Sequence, residues 1–273
     1  MQKNEIILPG ISNARELGGY PAGDKYIKKK VLIRSGSLSG ALPEAVQILQ
    51  DTYKLKHIVD FRMKNKNEKE PDPAISGAVY TSVSAIEIED FFSSLSDSKI
   101  AGQFSSGSMD IETVYKMAFE RGLLGPELYV RFLLGERGKK AYQSFFKILA
   151  DHNPDDGAVL WHCDDGKDRA GIATMLLLFF LGADRDTIVA DYLMTNESNA
   201  QKIEAARQKF EAMGLDGDGL DAMIFVSGGV FAKYIEYAIE TLDKKYGSVT
   251  GYIREELGFS DSDKKLFREK YLM

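Results

Sequence analysis

Cysteine is the scarcest chemically useful residue in this chain. Cys163 is the only one among 273 residues, so neither a disulfide framework nor a multi-cysteine metal site can be assembled. Histidine is nearly as rare, with three copies; no metal-ligand cluster and no bound cofactor is expected from so small a donor set. Long apolar runs are missing as well. The longest, residues 173–183, is about eleven residues, against the roughly twenty that a bilayer span requires. The first residues, Met1-Gln2-Lys3-Asn4-Glu5, lack the apolar stretch of a secretory leader. Positive charge is not in excess either: 35 Lys and Arg face 41 Asp and Glu, for a net charge of −6, which argues against a nucleic-acid partner. A single unpaired thiol suits a reducing compartment. A soluble, cytoplasmic chain without a transmembrane segment is the expectation.

What is present is enough apolar material for a sizeable core, 44% of the residues, with no internal repeat and no low-complexity linker. One domain over residues 1–273 is therefore expected. Short β-rich runs fall at 31–34, 57–61, 78–83 and 158–162. The last is almost wholly apolar, as for a strand buried on both faces of a sheet. Helical patterns cover 43–53, 138–150, 169–181, 187–194, 198–213, 229–244, 249–257 and 261–271. Ser248 and Ser260 suit N-cap positions, and Gly258 suits the residue just past a helix end. Early strands and a helical C-terminal half predict an α/β fold with a central, mostly parallel sheet flanked by helices. Residues of about 85–134 fit a minimal core poorly. They read either as an inserted helical lid or as extra helices packed permanently on the sheet.

The most informative segment is Leu160-Trp161-His162-Cys163-Asp164-Asp165-Gly166-Lys167-Asp168-Arg169-Ala170-Gly171. An apolar strand ends in a cysteine, an arginine follows six residues later, and an apolar helix begins there. A loop entering a helix N-terminus aims backbone N–H groups inward and adds the partial positive charge of the helix. Arg169 supplies a planar fork for phosphate oxygens, and Gly166 permits a backbone turn that a side chain would resist. In such a field the Cys163 thiolate is expected to be favoured, with a depressed pKa. The bland alternative is a buried structural thiol.

This loop resembles that of the bacterial atypical tyrosine phosphatases, whose members also dephosphorylate phosphoinositides. The resemblance extends over nearly the whole chain. It includes Asn13-Ala14-Arg15-Glu16-Leu17-Gly18-Gly19-Tyr20, Ile33-Arg34-Ser35-Gly36, Ile58-Val59-Asp60-Phe61-Arg62, Asp191-Tyr192 with Thr195-Asn196, and the C-terminal tail. It implies a cysteine-phosphatase-like fold. The implied activity is phosphomonoester hydrolysis through a phosphocysteine, on phosphotyrosine and, as further candidates, phosphoserine/threonine and phosphoinositides. Partners would then be phosphorylated proteins or phosphoinositides. Two other classes compete. One is a pseudo-phosphatase that binds phosphorylated ligands without turnover. The other is sulfur transfer on a rhodanese-like loop, which Lys167 and Arg169 suit less well.

Within the phosphatase reading, Cys163 is the nucleophile, and Asp164, Asp165, Gly166, Lys167, Asp168 and Arg169 form the phosphate-binding loop. Asp168 is the general acid by resemblance. Asp60, at the end of a strand, is the alternative acid or else the partner of a nearby arginine. His162 either orients the loop or is a satisfied buried histidine. Arg15, Arg34 and Arg62 are expected to brace the site more than to touch substrate. Lys167 reads as extra charge for multiply phosphorylated substrates or as a solvated rim cation, and Lys28-Lys29-Lys30 as a solvated run. Two departures from the family pattern stand out. Ala170 replaces a hydroxyl residue that would assist departure of the thiolate, and Asp164-Asp165 place carboxylates where small or apolar residues are usual. Their side chains are expected to point outward to the rim; alternatively, they select substrates that carry a cation near the phosphate. Asp216-Gly217-Asp218-Gly219-Leu220-Asp221 fails the calcium-loop pattern and reads as an acidic turn.

Overall fold

A computed structural model describes residues 4–87 and 125–273. Most of the segment read as a lid therefore lies outside the described residues. Among those described, the strands are β1 (Arg15–Glu16), β2 (Pro21–Ala22), β3 (Lys25–Tyr26), β4 (Leu32–Ser35), β5 (His57–Asp60), β6 (Val79–Ser82) and β7 (Val159–His162). The helices are α1 (Pro43–Gln47), α2 (Lys64–Lys69), α3 (Glu127–Leu134), α4 (Glu136–Asp151), α5 (Arg169–Leu181) and α6 (Arg185–Ser198). They continue as α7 (Ala200–Ala212), α8 (Gly217–Val226), α9 (Ala232–Tyr246), α10 (Val249–Leu257) and α11 (Asp261–Tyr271).

Five strands form one sheet in the order β1-β4-β7-β5-β6. Four are parallel, and β1 runs antiparallel to β4. The central strand, β7, is buried along its length because both of its faces are covered, which is why its sequence is continuously apolar. Its alternation still sorts the side chains. Val159 and Trp161 join the larger core with α4, α5 and α9–α11, whereas Leu160 joins a second core with Ile33, Ile58 and Leu49. Register places His162 opposite both Ser35 of β4 and Asp60 of β5. Three parallel strands thus end side by side, where the crevice of an α/β sheet forms.

Helix α5 follows β7 and is buried at every position except Phe179, consistent with its apolar sequence all round. Trp161 ties strand to helix by donating Nε1–H to Thr174 Oγ1 at 3.0 Å. Helix termini are set by local chemistry. Ser248 accepts from the Gly251 N–H, and Ser260 makes a capping box with Asp263. Gly258 closes α10 in the left-handed region, φ 80°, a conformation that costs glycine little.

Several expectations from sequence are corrected. The expected helix over 43–53 is α1 continued by a π-helical turn, Ile48–Thr52. The acidic segment read as a turn starts helix α8 instead, with Asp216 at its N-cap; its two early glycines mask a helix whose later residues, Leu220 to Phe225, are mostly buried. Helix α2 was not expected because it has no buried residue and so no apolar period.

Phe146 of α4 packs α4 and α5 against the C-terminal segment. Its ring lies within 5.3–5.9 Å of Phe145, Phe180, Phe259 and Phe267, and it is fully buried. Phe146→Ala should lower unfolding free energy by about 3–5 kcal/mol through cavity formation. Urea titration should show a lower midpoint at an unchanged slope.

Candidate active site

Cys163 is the first residue beyond β7, and Arg169 opens α5. The loop between them is held by its carbonyls. Asn13 Nδ2 donates to Asp165 O at 2.9 Å, the Ser37 N–H to Asp164 O at 2.8 Å and Arg34 NH2 to Gly166 O at 2.6 Å. Among the described residues, no N–H of residues 164–168 donates to a backbone carbonyl. Carbonyls anchored into the scaffold leave these amides available to an anion, next to the positive end of α5. Gly166 is required twice over: its φ is +69°, and a Cβ there would lie 2.3 Å from Ser35 O.

The bracing arginines converge on Asp191 of α6. Arg15 Nε meets Asp191 Oδ1 at 2.8 Å, and Arg34 NH1 meets Oδ2 at 2.5 Å. Tyr20 Oη donates to Oδ1 at 3.0 Å. Arg15 also donates to Asn13 Oδ1 at 2.5 Å, and Asn13 holds the loop. Burial acts to raise the Asp191 pKa, but Arg15 and Arg34 outweigh it and hold the group down to about 2. Neither arginine is left over for a substrate.

Cys163 is buried. Its expected pKa depression is corrected: burial pushes the thiol up, and Asp168 and Asp164 add to that effect. Arg169 and the neighbouring Ala170 N–H act the other way without prevailing. The outward orientation expected for both loop carboxylates holds for Asp165, which meets Lys202 Nζ at 3.4 Å near the surface. It fails for Asp164. That carboxylate turns onto Arg169, with Oδ2 at 2.6 Å from NH2, because the nearest available cation for it is the arginine of its own loop.

Lys167 is not a rim cation, although its ammonium stays 3.9 Å from Asp168 Oδ2 of the loop. Its ammonium is buried, donates to the carbonyls of Phe225 and Gly229, and lies 4.1 Å from the centre of the Phe225 ring. It thereby satisfies the Phe225 carbonyl near the end of α8 and the Gly229 carbonyl just beyond that helix.

Asp168 is partly exposed at the loop's edge. Its Oδ1 accepts from Tyr129 Oη at 2.7 Å, and Tyr129 also meets Tyr192 Oη at 2.6 Å. Asp60 is fully buried and spent: Arg62 forks onto it, and Tyr80 Oη donates to its Oδ2 at 2.8 Å. Burial raises its pKa, yet His162 and Arg62 together leave it lowered, a poor setting for a proton donor. His162 Nε2 lies 2.8 Å from Asp72 Oδ2, and Arg62 NH2 is 2.7 Å from Asp72 Oδ1. Asp60, Asp72 and His162 bring candidate ligand atoms within 4.8 Å of one another, but Arg62 already supplies the positive charge between the carboxylates. That donor set does not fit a metal ion.

Sequence reasoning missed Asp72, Tyr129 and the central role of Asp191. Asp191 and Tyr129 were visible only as members of apolar or motif stretches, and Asp72 carried no signal.

A buried, unpaired cysteine ends the central strand of a mostly parallel sheet, and an arginine opens the helix that follows, in an α/β fold of the cysteine-phosphatase type. Comparison with known proteins agrees. The chain belongs to the tyrosine phosphatase family, whose model matches residues 6–273, and it is a phosphatase. A relative named as a tyrosine-protein phosphatase, from Cupriavidus necator, is 28% identical over 259 residues, covering 93% of this chain and 85% of that protein. A triple specificity protein phosphatase of Mycobacterium tuberculosis is 35% identical over 134 residues, 46% of this chain and 47% of that protein. A tyrosine-protein phosphatase of Nostoc commune is 30% identical over 138 residues, 50% and 45% respectively. No helix among the described residues is long and apolar enough to cross a membrane.

Because the folded pKa of Asp191 is depressed, its contribution to stability is complete above the ordinary carboxylate pKa, near 4, and fades as pH falls towards 2. Asp191→Asn should cost about 3–5 kcal/mol at neutral pH by leaving two buried guanidinium groups undercompensated. Its stability should fall less steeply than that of the wild type between pH 4 and pH 2, as read by denaturant titration at each pH.

Proposed function

We propose that the protein is a cysteine-dependent phosphomonoesterase acting on phosphotyrosine, with phosphoserine/threonine and phosphoinositides as further substrates. The observation that carries this reading is the juxtaposition of a nucleophile-bearing strand end, Cys163, with free loop amides and the Arg169 guanidinium. The breadth of substrate is suggested by the name of the mycobacterial relative.

In this mechanism the phosphoryl group settles on the loop N–H groups and Arg169, which neutralise charge on the equatorial oxygens in the transition state. Cys163 first gives up its thiol proton to solvent; the thiolate Sγ then attacks phosphorus in line, and the P–O bond to the leaving group breaks. Asp168, at the loop's edge, delivers a proton to the departing oxygen. Water then cleaves the S–P bond, releasing phosphate and restoring the thiolate, with Asp168 accepting a proton from that water. The Ala170 N–H, which favours the charged form of the sulfur, supplies part of the stabilisation that a side-chain hydroxyl would give the leaving thiolate. No step draws on a metal or cofactor. A catalytically impaired binding protein is the second reading, and the raised Cys163 pKa together with Ala170 favours it.

Cys163→Ser should retain binding of vanadate or inorganic phosphate while turnover falls below about one per cent of wild type, since a serine hydroxyl is a far weaker nucleophile. Phosphate release from a phosphotyrosine peptide and calorimetric binding give the two readouts. A wild type that binds phosphate tightly with no turnover on phosphopeptides or phosphoinositides would establish the impaired reading instead.

Asp168→Asn distinguishes proton donation from loop bracing through Tyr129. A donor matters most for poor leaving groups, so turnover of phosphoserine or an inositol phosphate should fall by about 10²–10⁴. An activated aryl phosphate should lose much less. Equal losses on both, with the basic limb of the pH–rate profile retained, would assign Asp168 to bracing.

A further inference from the structure

We propose that Asp164 is a specificity-determining residue that makes this site prefer phosphoryl groups flanked by a positive charge, as in a phosphotyrosine peptide with arginine or lysine next to the phosphotyrosine. The proposal rests on the reading of the loop as a phosphate site. Asp164 Oδ2 lies 2.6 Å from Arg169 NH2, so a carboxylate sits on the guanidinium edge that a phosphoryl group needs. An incoming dianion must displace it. Its other oxygen, Oδ1, is buried and has no hydrogen-bond partner.

Once displaced, the Asp164 carboxylate finds no uncommitted cation beside it among the described residues. Arg62 is committed to Asp60, Asp72, Ser37 Oγ and the Glu70 carbonyl. Arg15 and Arg34 are committed to Asp191. Lys167 points to the end of α8, and Lys202 faces Asp165. The freed carboxylate therefore stands beside a phosphate dianion, an arrangement of like charges that is unfavourable unless a cation intervenes. The Asp164 side chain remains 30% exposed, so a substrate side chain can reach it. A guanidinium or ammonium adjacent to the phosphate would pair with it and restore the balance. A polyphosphorylated headgroup would do the reverse and add negative charge.

The test uses the full-length protein and three substrates: a neutral aryl phosphate, and two phosphotyrosine peptides that differ only in arginine or glutamate next to the phosphotyrosine. For the wild type, kcat/KM should favour the arginine peptide by roughly tenfold, the scale of a charged contact at a half-exposed site. In Asp164→Asn and Asp164→Ser this ratio should fall to near one. The same variants should bind inorganic phosphate roughly tenfold more tightly, because the competing carboxylate is gone. An arginine preference that survives in both variants, or unchanged phosphate affinity, overturns the proposal, as does a wild type that prefers a multiply phosphorylated inositol lipid to the arginine peptide. Failure of the phosphatase reading is distinguishable: no turnover of the aryl phosphate would sink that reading. The Asp164 proposal would then be judged by calorimetric affinities of the same two peptides for Cys163→Ser and for its Asp164→Asn double variant.

Discussion

One buried carboxylate organises the active-site end of this protein. Asp191 comes from helix α6, yet it joins Arg15 and Arg34 from neighbouring strands β1 and β4. Through Arg34 it reaches the Gly166 carbonyl, and through Arg15 and Asn13 it reaches the Asp165 carbonyl. The loop is thus clamped by its oxygens, and its amides are turned free. Two guanidinium groups against one carboxylate would be costly in a dry interior. The excess is spread over Asn13 Oδ1, the Asp191 carbonyl and Gly166 O. Burial and the nearby Arg15 lower the Arg34 pKa to about 10, so it stays charged at neutral pH.

A second electrostatic balance governs Cys163, the proposed nucleophile. Arg169 faces Cys163, Asp164 and Asp168, all of which hold its charge in place. The carboxylates also work against the thiolate, and burial dominates. A strand end that seals the sulfur from water therefore imposes a cost that the arginine and the Ala170 amide offset only in part. The loop is organised for an anion, while one of its own side chains partly answers that need. That tension separates this chain from a loop with small or apolar residues at positions 164 and 165.

Much of the fold could be read directly. The four parallel strands lie within a residue of the β-rich runs, and α5, α10 and α11 span the ranges their apolar period and caps indicate. Elements without such a signal were missed. Helix α2 is polar throughout, α8 begins with two glycines, and β1 to β3 have two residues each. At the site, the strand–loop–helix layout and the bracing arginines were legible because spacing and residue type suffice to place them. The direction of Lys167 was not, since its partners, the carbonyls of Phe225 and Gly229, lie some sixty positions away.

By itself, the sequence determined a buried central strand, a cysteine at its end, a glycine in the loop and an arginine at the mouth of an apolar helix. These follow from local rules: side-chain alternation, backbone freedom at glycine and capping of helix ends. Tertiary structure alone decided the work of the carboxylates. Asp60, Asp164, Asp168 and Asp191 are chemically identical, yet one is locked by Arg62 and Tyr80, one closes on Arg169, one meets Tyr129 and one holds two arginines. A carboxylate's proton affinity and reach depend on the charges and donors folded around it, and three of these four draw on partners at least twenty residues distant in the chain.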